Sequence, residues 1–370
     1  MLELLDNFFR FGGMTTAIFT GALALQKGGC TTIGRLAAFG CFSVAAYLLV
    51  SLPGVGEVLG VWMIPALLIC FASPPAIWLF SLSMFDDNFT FKRIHFVVGG
   101  GFFALTLAQY FIYYATVGEF PYISPMKVHE AALGVGASTY GTGFAALVFK
   151  LGMSGHMLLS AWQGRNDDLV SERRMFRQDF VIAVALISVW LVVSPQWISG
   201  DAIGSSVLLI SQSAAIFGVT VYMLWAFASM DMKWMFGDIE TAVVTENSYE
   251  DGEDRHDLET LNGLVKNGKL LETGLTVTRL ATSSNMPEHK LRRIVNQHLG
   301  FRNFADYLNF HRVDAAKARL AVVEDRHVPV LTVAMDLGYG SLGPFNKAFK
   351  ERTGQTPTEF RRDALALGHT

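Results

Sequence analysis

Seven long apolar runs, separated by short polar breaks, fill the chain from its first residues to about Ser229. A run of that length has few ways to fold. A bilayer core of about 30 Å takes about 20 apolar residues to cross as a helix, and the crossing backbone must satisfy its own N–H and C=O groups. The runs are Phe8–Leu25, Leu36–Leu52, Val58–Met84, His95–Val117, Val128–Phe149, Phe180–Ile198 and Ile203–Ser229. Together they predict a bundle of seven transmembrane helices. The first run holds an early Arg10 and lacks a small-residue cleavage site behind a compact apolar centre, so it is read as a span and not as a removed signal peptide. Only 16% of the 370 residues are charged, well below the usual quarter or so.

Charge in the connections orients the bundle. Lys27 and Arg35 follow the first run, Lys92 and Arg93 the third, Lys150, Arg165, Arg173, Arg174 and Arg177 the fifth, and Lys233 the seventh. The alternate connections hold little besides Glu57, Glu119, Lys127 and Asp201. By the positive-inside bias the N-terminus lies outside and the C-terminus in the cytoplasm, as an odd number of spans requires.

Polar side chains at membrane depth are costly and point to function. Gln109, Tyr110, Tyr113 and Tyr114 sit in the outer half of the fourth run, and His129 and Glu130 open the fifth across an external connection. They are candidates for a pocket, open to the outside, that receives a small-molecule or membrane signal, with the tyrosines giving flat contacts and hydroxyl partners. An ordinary interfacial belt of tyrosines and span-end polar groups accounts for the same residues. Small residues from Ala131 to Gly143 suit close helix packing, with Gly99, Gly100 and Gly101 as partners or as a bend. Cys30, Cys41 and Cys70 lie in or beside apolar segments without metal-ligand spacing and read as buried thiols.

After the last run the composition changes. Residues 238–254 carry seven acidic side chains and no Lys or Arg, whereas residues 256–370 carry 16 Lys/Arg against 12 Asp/Glu. The acidic stretch is expected to be a solvated, flexible spacer. A sharper alternative is that Glu250, Asp251, Glu253 and Asp254 compete with DNA phosphate for the basic region behind them.

That region reads as soluble helix. Asp257 to Val265 offers a first helix, Thr276 caps a second, and Pro287 stands at the start of EHKLRRIVNQHLG. Leu291, Ile294, Val295 and Leu299 make an inner stripe that leaves His289, Lys290, Arg292, Arg293 and Asn296 outward, suited to phosphate and base-edge hydrogen bonds. Many such basic faces are only solvated. A connector helix from Asn303 to Ala321 follows, with Phe304, Leu308, Val313, Ala316 and Leu320 at helical spacing. The pattern then repeats: VLTVAMDLG, a turn at Gly338–Gly340, and SLGPFNKAFKERTG. Phe345 and Phe349 face inward there, leaving Ser341, Gly343, Asn346, Lys347 and Lys350 toward DNA, and Thr356 caps a last helix.

From about residue 258 to 365 these motifs resemble the AraC/XylS family of bacterial transcription regulators. The resemblance rests on TVTRLA with Leu291 and Arg293, on LGFRNFADYLNFHRVDAAKARL, and above all on TVAMDLGYGSLGPFNKAFKERTGQTPTEFRR. It implies two helix-turn-helix subdomains joined by a connector and reading adjacent major grooves. It also implies that Arg312 is a buried structural cation, for which Asp336 is the expected partner. Two features depart from the family: a membrane bundle stands in place of the usual soluble effector barrel, and Gly343 and Pro344 stand where polar side chains are common.

The expected fold is all-α, with a seven-span sensor at 1–230, an acidic linker at 231–256 and a cytoplasmic DNA-binding domain at 257–370. The expected function is a membrane-bound, one-component transcription regulator in the bacterial inner membrane. Double-stranded DNA and the bilayer are its partners, and RNA polymerase and a second copy of the chain are further candidates. Catalytic residues, metal and cofactor are not called for. The alternative is a small-molecule transporter or channel with a regulatory DNA-binding appendage; sparse charge within the spans favours the regulator. A membrane enzyme with a regulatory tail ranks behind both.

Overall fold

The computed structural model describes residues 1–29, 31–52, 54–87, 89–117, 137–198, 202–229 and 252–367. The fold is all-α. Among the described residues the only β pairing is an isolated antiparallel bridge between Asp168 and Asn303. The chain forms two compact units, one of Met1–Gly164 with Met175–Asp238, the other of Arg165–Arg174 with Ile239–Thr370.

The first unit contains α1 (Leu2–Gly28), α2 (Thr32–Val50), α3 (Val55–Leu59), α4 (Met63–Phe71), α5 (Ser73–Phe85), α6 (Arg93–Val117), α7 (Ala137–Gln163), most of α8 (Ser171–Ile198) and α9 (Ala202–Ser229). Among the described residues six stretches are long and apolar enough to cross a membrane: Leu2–Gly28, Thr32–Val50, Val55–Phe85, Arg93–Ile112, Gly141–Gln163 and Leu209–Ser229. The predicted sixth span, Phe180–Ile198, lies in α8, which is not among these six.

The third run, expected as one span, lies within the single apolar stretch Val55–Phe85, which is built of α3, a 3-10 turn at Gly60–Trp62, α4 and α5. Gly60 ends α3 at φ 52°, and the prolines in the first turn of α5 have no N–H to continue the ladder from α4.

Several polar groups inside this unit bond one another. Arg10 donates to Asp6 at 2.7 Å and to Ser51 Oγ, while Ser213 Oγ donates to the other Asp6 oxygen at 2.7 Å. That network joins α1, α2 and α9, and Thr16 meets Thr220 at 2.7 Å farther along. The bare Gly12 lets α1 approach Phe217 of α9, since a Cβ there would stand 2.8 Å from the ring. Of the predicted buried thiols, Cys70 is buried, Cys41 half-buried, and Cys30 lies outside the described residues.

The second unit holds α10 (Gly252–Lys266), a 3-10 turn at Lys269–Leu271, α11 (Val277–Ser283), α12 (Glu288–Arg293), α13 (Phe304–Leu320), α14 (Val330–Asp336), α15 (Leu342–Thr353) and α16 (Pro357–Leu367). Helix α10 opens at Gly252, inside the stretch expected to be linker; the rest of that stretch, 231–251, lies outside the described residues. Helix α12 runs on as a wider, π-type turn through Ile294–His298.

Side chains close the helix ends. Thr276 accepts from Arg279 N at 3.2 Å and Asn303 from Asp306 N at 2.7 Å. Thr356 and Glu359 exchange side-chain and backbone bonds in a capping box.

Two apolar cores result, and α13 serves both. Its first half contributes Phe304, Tyr307 and Leu308 to the core of Leu261, Leu280, Leu291, Ile294 and Val295. Its second half contributes Val313, Ala316 and Leu320 to the core of Val333, Ala334, Phe345 and Phe349. Alternate faces of one helix therefore join two subdomains.

Candidate nucleic-acid interface

Each core presents the same device, a short helix, a tight turn and a second helix. In the first, Asn285 turns the chain at φ 53° and Met286 N donates to Ala281 O at 3.0 Å. In the second, Gly338 turns it at φ 85° and Tyr339 N donates to Ala334 O at 3.0 Å. Buried Ala281 and Ala334 let the paired helices approach at corresponding points. Only glycine suits the second turn, because a Cβ on Gly338 would stand 2.4 Å from Leu271 O.

Arg312 of α13 braces that turn. Its guanidinium donates to Leu270 O at 2.8 Å, Glu272 O at 2.8 Å and Gly338 O at 3.0 Å, and lies 5.4 Å from the Tyr339 ring centre. The expectation of a buried structural cation holds, with the side chain only 7% exposed. Its partner differs from the one expected: Asp336 accepts from Arg319 at 2.6 Å, and backbone carbonyls hold Arg312.

Helix α15 has two distinct faces. Phe345, Ala348 and Phe349 are buried, while Ser341, Gly343, Asn346, Lys347 and Lys350 are exposed together. The Lys347 side chain is 74% exposed, with Glu351 at 3.9 Å. Gly343 and Pro344 are exposed too and bring backbone rather than polar side chains to the start of this face.

Helix α12 holds Leu291 and Val295 where α15 holds Phe345 and Phe349, but its outer face is engaged. His289 is exposed. Lys290 pairs with Asp257 at 2.6 Å, and Arg293 pairs with Asp254 at 2.6 Å while staying 45% exposed. Asn296 donates to Phe301 O at 3.0 Å.

Arg292, expected to face outward, is 7% exposed. Its two terminal nitrogens donate to Asp168 O at 2.7 Å and Asn166 O at 2.8 Å, and it binds Glu288 at 2.7 Å. The wheel that turned it outward could not show that residues 165–174 pack on that side.

The engaged carboxylates are perturbed accordingly. Burial pushes the Asp254 carboxyl up, but hydrogen bonds from His298 and Arg293 outweigh it and hold the group below the usual carboxylate range. Hydrogen bonds from Thr278 and then Arg292 do the same for Glu288.

The proposed sensing residues are placed in part. Gln109 and Tyr110 are buried, with Tyr110 4.9 Å from the Phe71 ring in an apolar cluster, and Tyr114 is exposed. The Tyr113 side chain, His129 and Glu130 lie outside the described residues.

A family model described as a helix-turn-helix domain matches residues 280–363. The C-terminal region carries an AraC-type helix-turn-helix domain. The matched stretch takes in α12, α13, α14, α15 and most of α16, so it supports a DNA-binding transcription regulator. Comparison with curated proteins and with solved structures gives no match. Sequence reasoning set Asp254 against the basic region, where it meets Arg293, but missed Asp257 as a partner of Lys290 and the place of residues 165–174 in this unit. The charge run around Asp254 was the one signal available.

Proposed function

We propose that the chain is a membrane-bound, one-component transcription regulator whose helix-turn-helix domain reads DNA mainly through α15. The observation that carries this is the split of α15 into a buried aromatic face and an exposed face of Ser341, Asn346, Lys347 and Lys350, inside the stretch matched by the helix-turn-helix model. Lys347 and Lys350 meet phosphate, and Asn346 offers an amide to a base edge, a contact worth roughly 1–3 kcal/mol of discrimination. Through α12, His289 and Arg293 add weaker contacts, Arg293 once it exchanges Asp254 for phosphate. Six long apolar helices in the first unit support anchoring in a bilayer. A signal received there, in the region of Gln109, Tyr110, Tyr113, Tyr114, His129 and Glu130, shifts the domain between binding-competent and idle populations.

Full-length protein in lipid nanodiscs, titrated with DNA fragments selected from genomic sequence, tests this. Lys347→Gln is expected to weaken binding several-fold and to lower the slope of log affinity against log salt by about 0.9, the loss of one phosphate contact. Equal affinity and slope for the variant and the parent would remove α15 from the interface.

A further inference from the structure

The two second helices of the helix-turn-helix pairs match in their apolar positions and differ in the fate of their cations. Leu291 and Val295 of α12 stand where α15 has Phe345 and Phe349, so Arg293 takes the place of Lys347. The Lys347 side chain is 74% exposed, with Glu351 of its own helix at 3.9 Å. Arg293 is held instead from another helix: Asp254, in the first turn of α10, accepts from it at 2.6 Å. His298 meets the other Asp254 oxygen at 3.1 Å. One turn farther along α10, Asp257 pairs with Lys290 at 2.6 Å. Two carboxylates on successive turns of α10 thus face two cations on successive turns of α12.

The two pairs are not equivalent. Helix α10 is fixed against α12, because its Leu258 and Leu261 share one core with Leu291 and Ile294, and Leu169 of segment 165–174 is buried in the same core. The side chains of Lys290 and Asp257 are 17% and 13% exposed, an enclosed pair that belongs to this frame. Arg293 keeps 45% of its side chain exposed, whereas Asp254 keeps 7%. A half-exposed guanidinium can turn to another anion without opening the core. A buried carboxylate stripped of every partner is costly, but Asp254 retains His298 on its second oxygen when Arg293 leaves. The contact is therefore exchangeable, on a frame that is not.

We propose that Asp254 decides whether the first helix-turn-helix takes part in DNA binding: it holds Arg293 while the domain binds through α15 alone and yields it to a backbone phosphate when both subdomains engage. The inference rests on the DNA-binding function proposed above and names the residue that sets how much of the site is read. Phosphate competes with the carboxylate because both are oxyanions that a guanidinium meets in a fork. Asp254 thereby acts as a specificity-determining residue, since a half-site that α12 reads counts only when its contacts repay the exchange.

The test uses full-length protein in nanodiscs with two DNA probes, a fragment selected from genomic sequence and the same fragment cut back to the α15 half-site. Asp254→Asn is expected to tighten binding to the full fragment about 3- to 10-fold and to leave the shortened one unchanged. Adding Arg293→Gln should abolish the gain. Unchanged or weaker binding to the full fragment would overturn the proposal and make Asp254 a brace for Arg293, and an equal gain on both fragments would reduce it to a general charge effect. The parent protein decides the matter should Asp254→Asn not fold. With arginine isotopically labelled, the Arg293 Nε–H resonance should shift on addition of the full fragment and stay in place with the shortened one; a resonance unmoved by either overturns the exchange. Lys347→Gln separates the two levels: if it weakens binding while Asp254→Asn gives no gain, only this inference fails, whereas absence of DNA binding by the parent protein fails the function itself.

Discussion

Arg292 shows what a single side chain's address on a helix can conceal. Its spacing from Leu291 and Val295 is that of a solvent-facing residue, and its charge suits DNA, but its guanidinium is spent on Asp168 O, Asn166 O and Glu288. Charged hydrogen bonds of this kind contribute about 1.5–3 kcal/mol each, and leaving their buried acceptors unmet costs about as much. Arg292→Gln is therefore expected to lower the stability of the second unit by about 3 kcal/mol, read as denaturant or protease sensitivity of residues 252–367. The salt slope of DNA binding by the folded fraction should not move. A reduced slope with unaltered stability would return Arg292 to the DNA-facing set. The Asp254–Arg293 pair behaves differently with pH. Because the folded carboxyl is held below its ordinary range, its contribution is in place above the unfolded value of about 3.9 and is lost as pH falls through the lower folded value. The stability gap between parent and Asp254→Asn should be open at about pH 5 and close below about 4; a gap already closed at about pH 5 would remove the Asp254 carboxylate as its source.

Elements were legible where a period or a turn residue speaks for itself. The helix pair α14 and α15 follows directly from the aromatic spacing of Phe345 and Phe349 and from Gly338. The turn between them yields a prediction of its own: a side chain on Gly338 meets Leu271 O at 2.4 Å with φ at 85°. Adding a left-handed backbone penalty of about 1–2 kcal/mol to the backbone shift that contact demands, Gly338→Ala should cost at least about 2 kcal/mol. It should also loosen Arg312, visible as faster amide exchange at Leu270–Glu272; exchange unchanged there would mean the turn adapts without disturbing its brace. The third apolar run was less legible. Hydropathy sees Val58–Met84 as continuous, but Gly60 and the prolines of α5 divide it, and only backbone chemistry registers the break. Arg312 was foreseen as a buried cation through family resemblance, while its acceptors were not, since backbone carbonyls carry no mark in a sequence.

At the scale of the whole chain, the contrast between a charge-poor N-terminal part and a polar C-terminal part announced two kinds of structure, and α11, α13 and α16 begin at the caps read for them, whereas α10 begins earlier, at Gly252. What no local pattern could announce was that the second unit is assembled from two separate stretches of chain. The tie depends on Leu169, Asp168 and Arg292 meeting across a long sequence distance, and each of them taken alone reads as an ordinary loop or surface residue. The division has a bearing on proteolytic release. A protease cutting once between residues 239 and 251 would free a C-terminal fragment from its covalent tether while leaving Leu169 behind on the N-terminal piece. The fragment would then remain docked noncovalently, or depart with an open hole beside Leu291 and with Arg292 stripped of two acceptors. Clean liberation of an intact DNA-binding unit takes two further cuts, one on each side of residues 165–174.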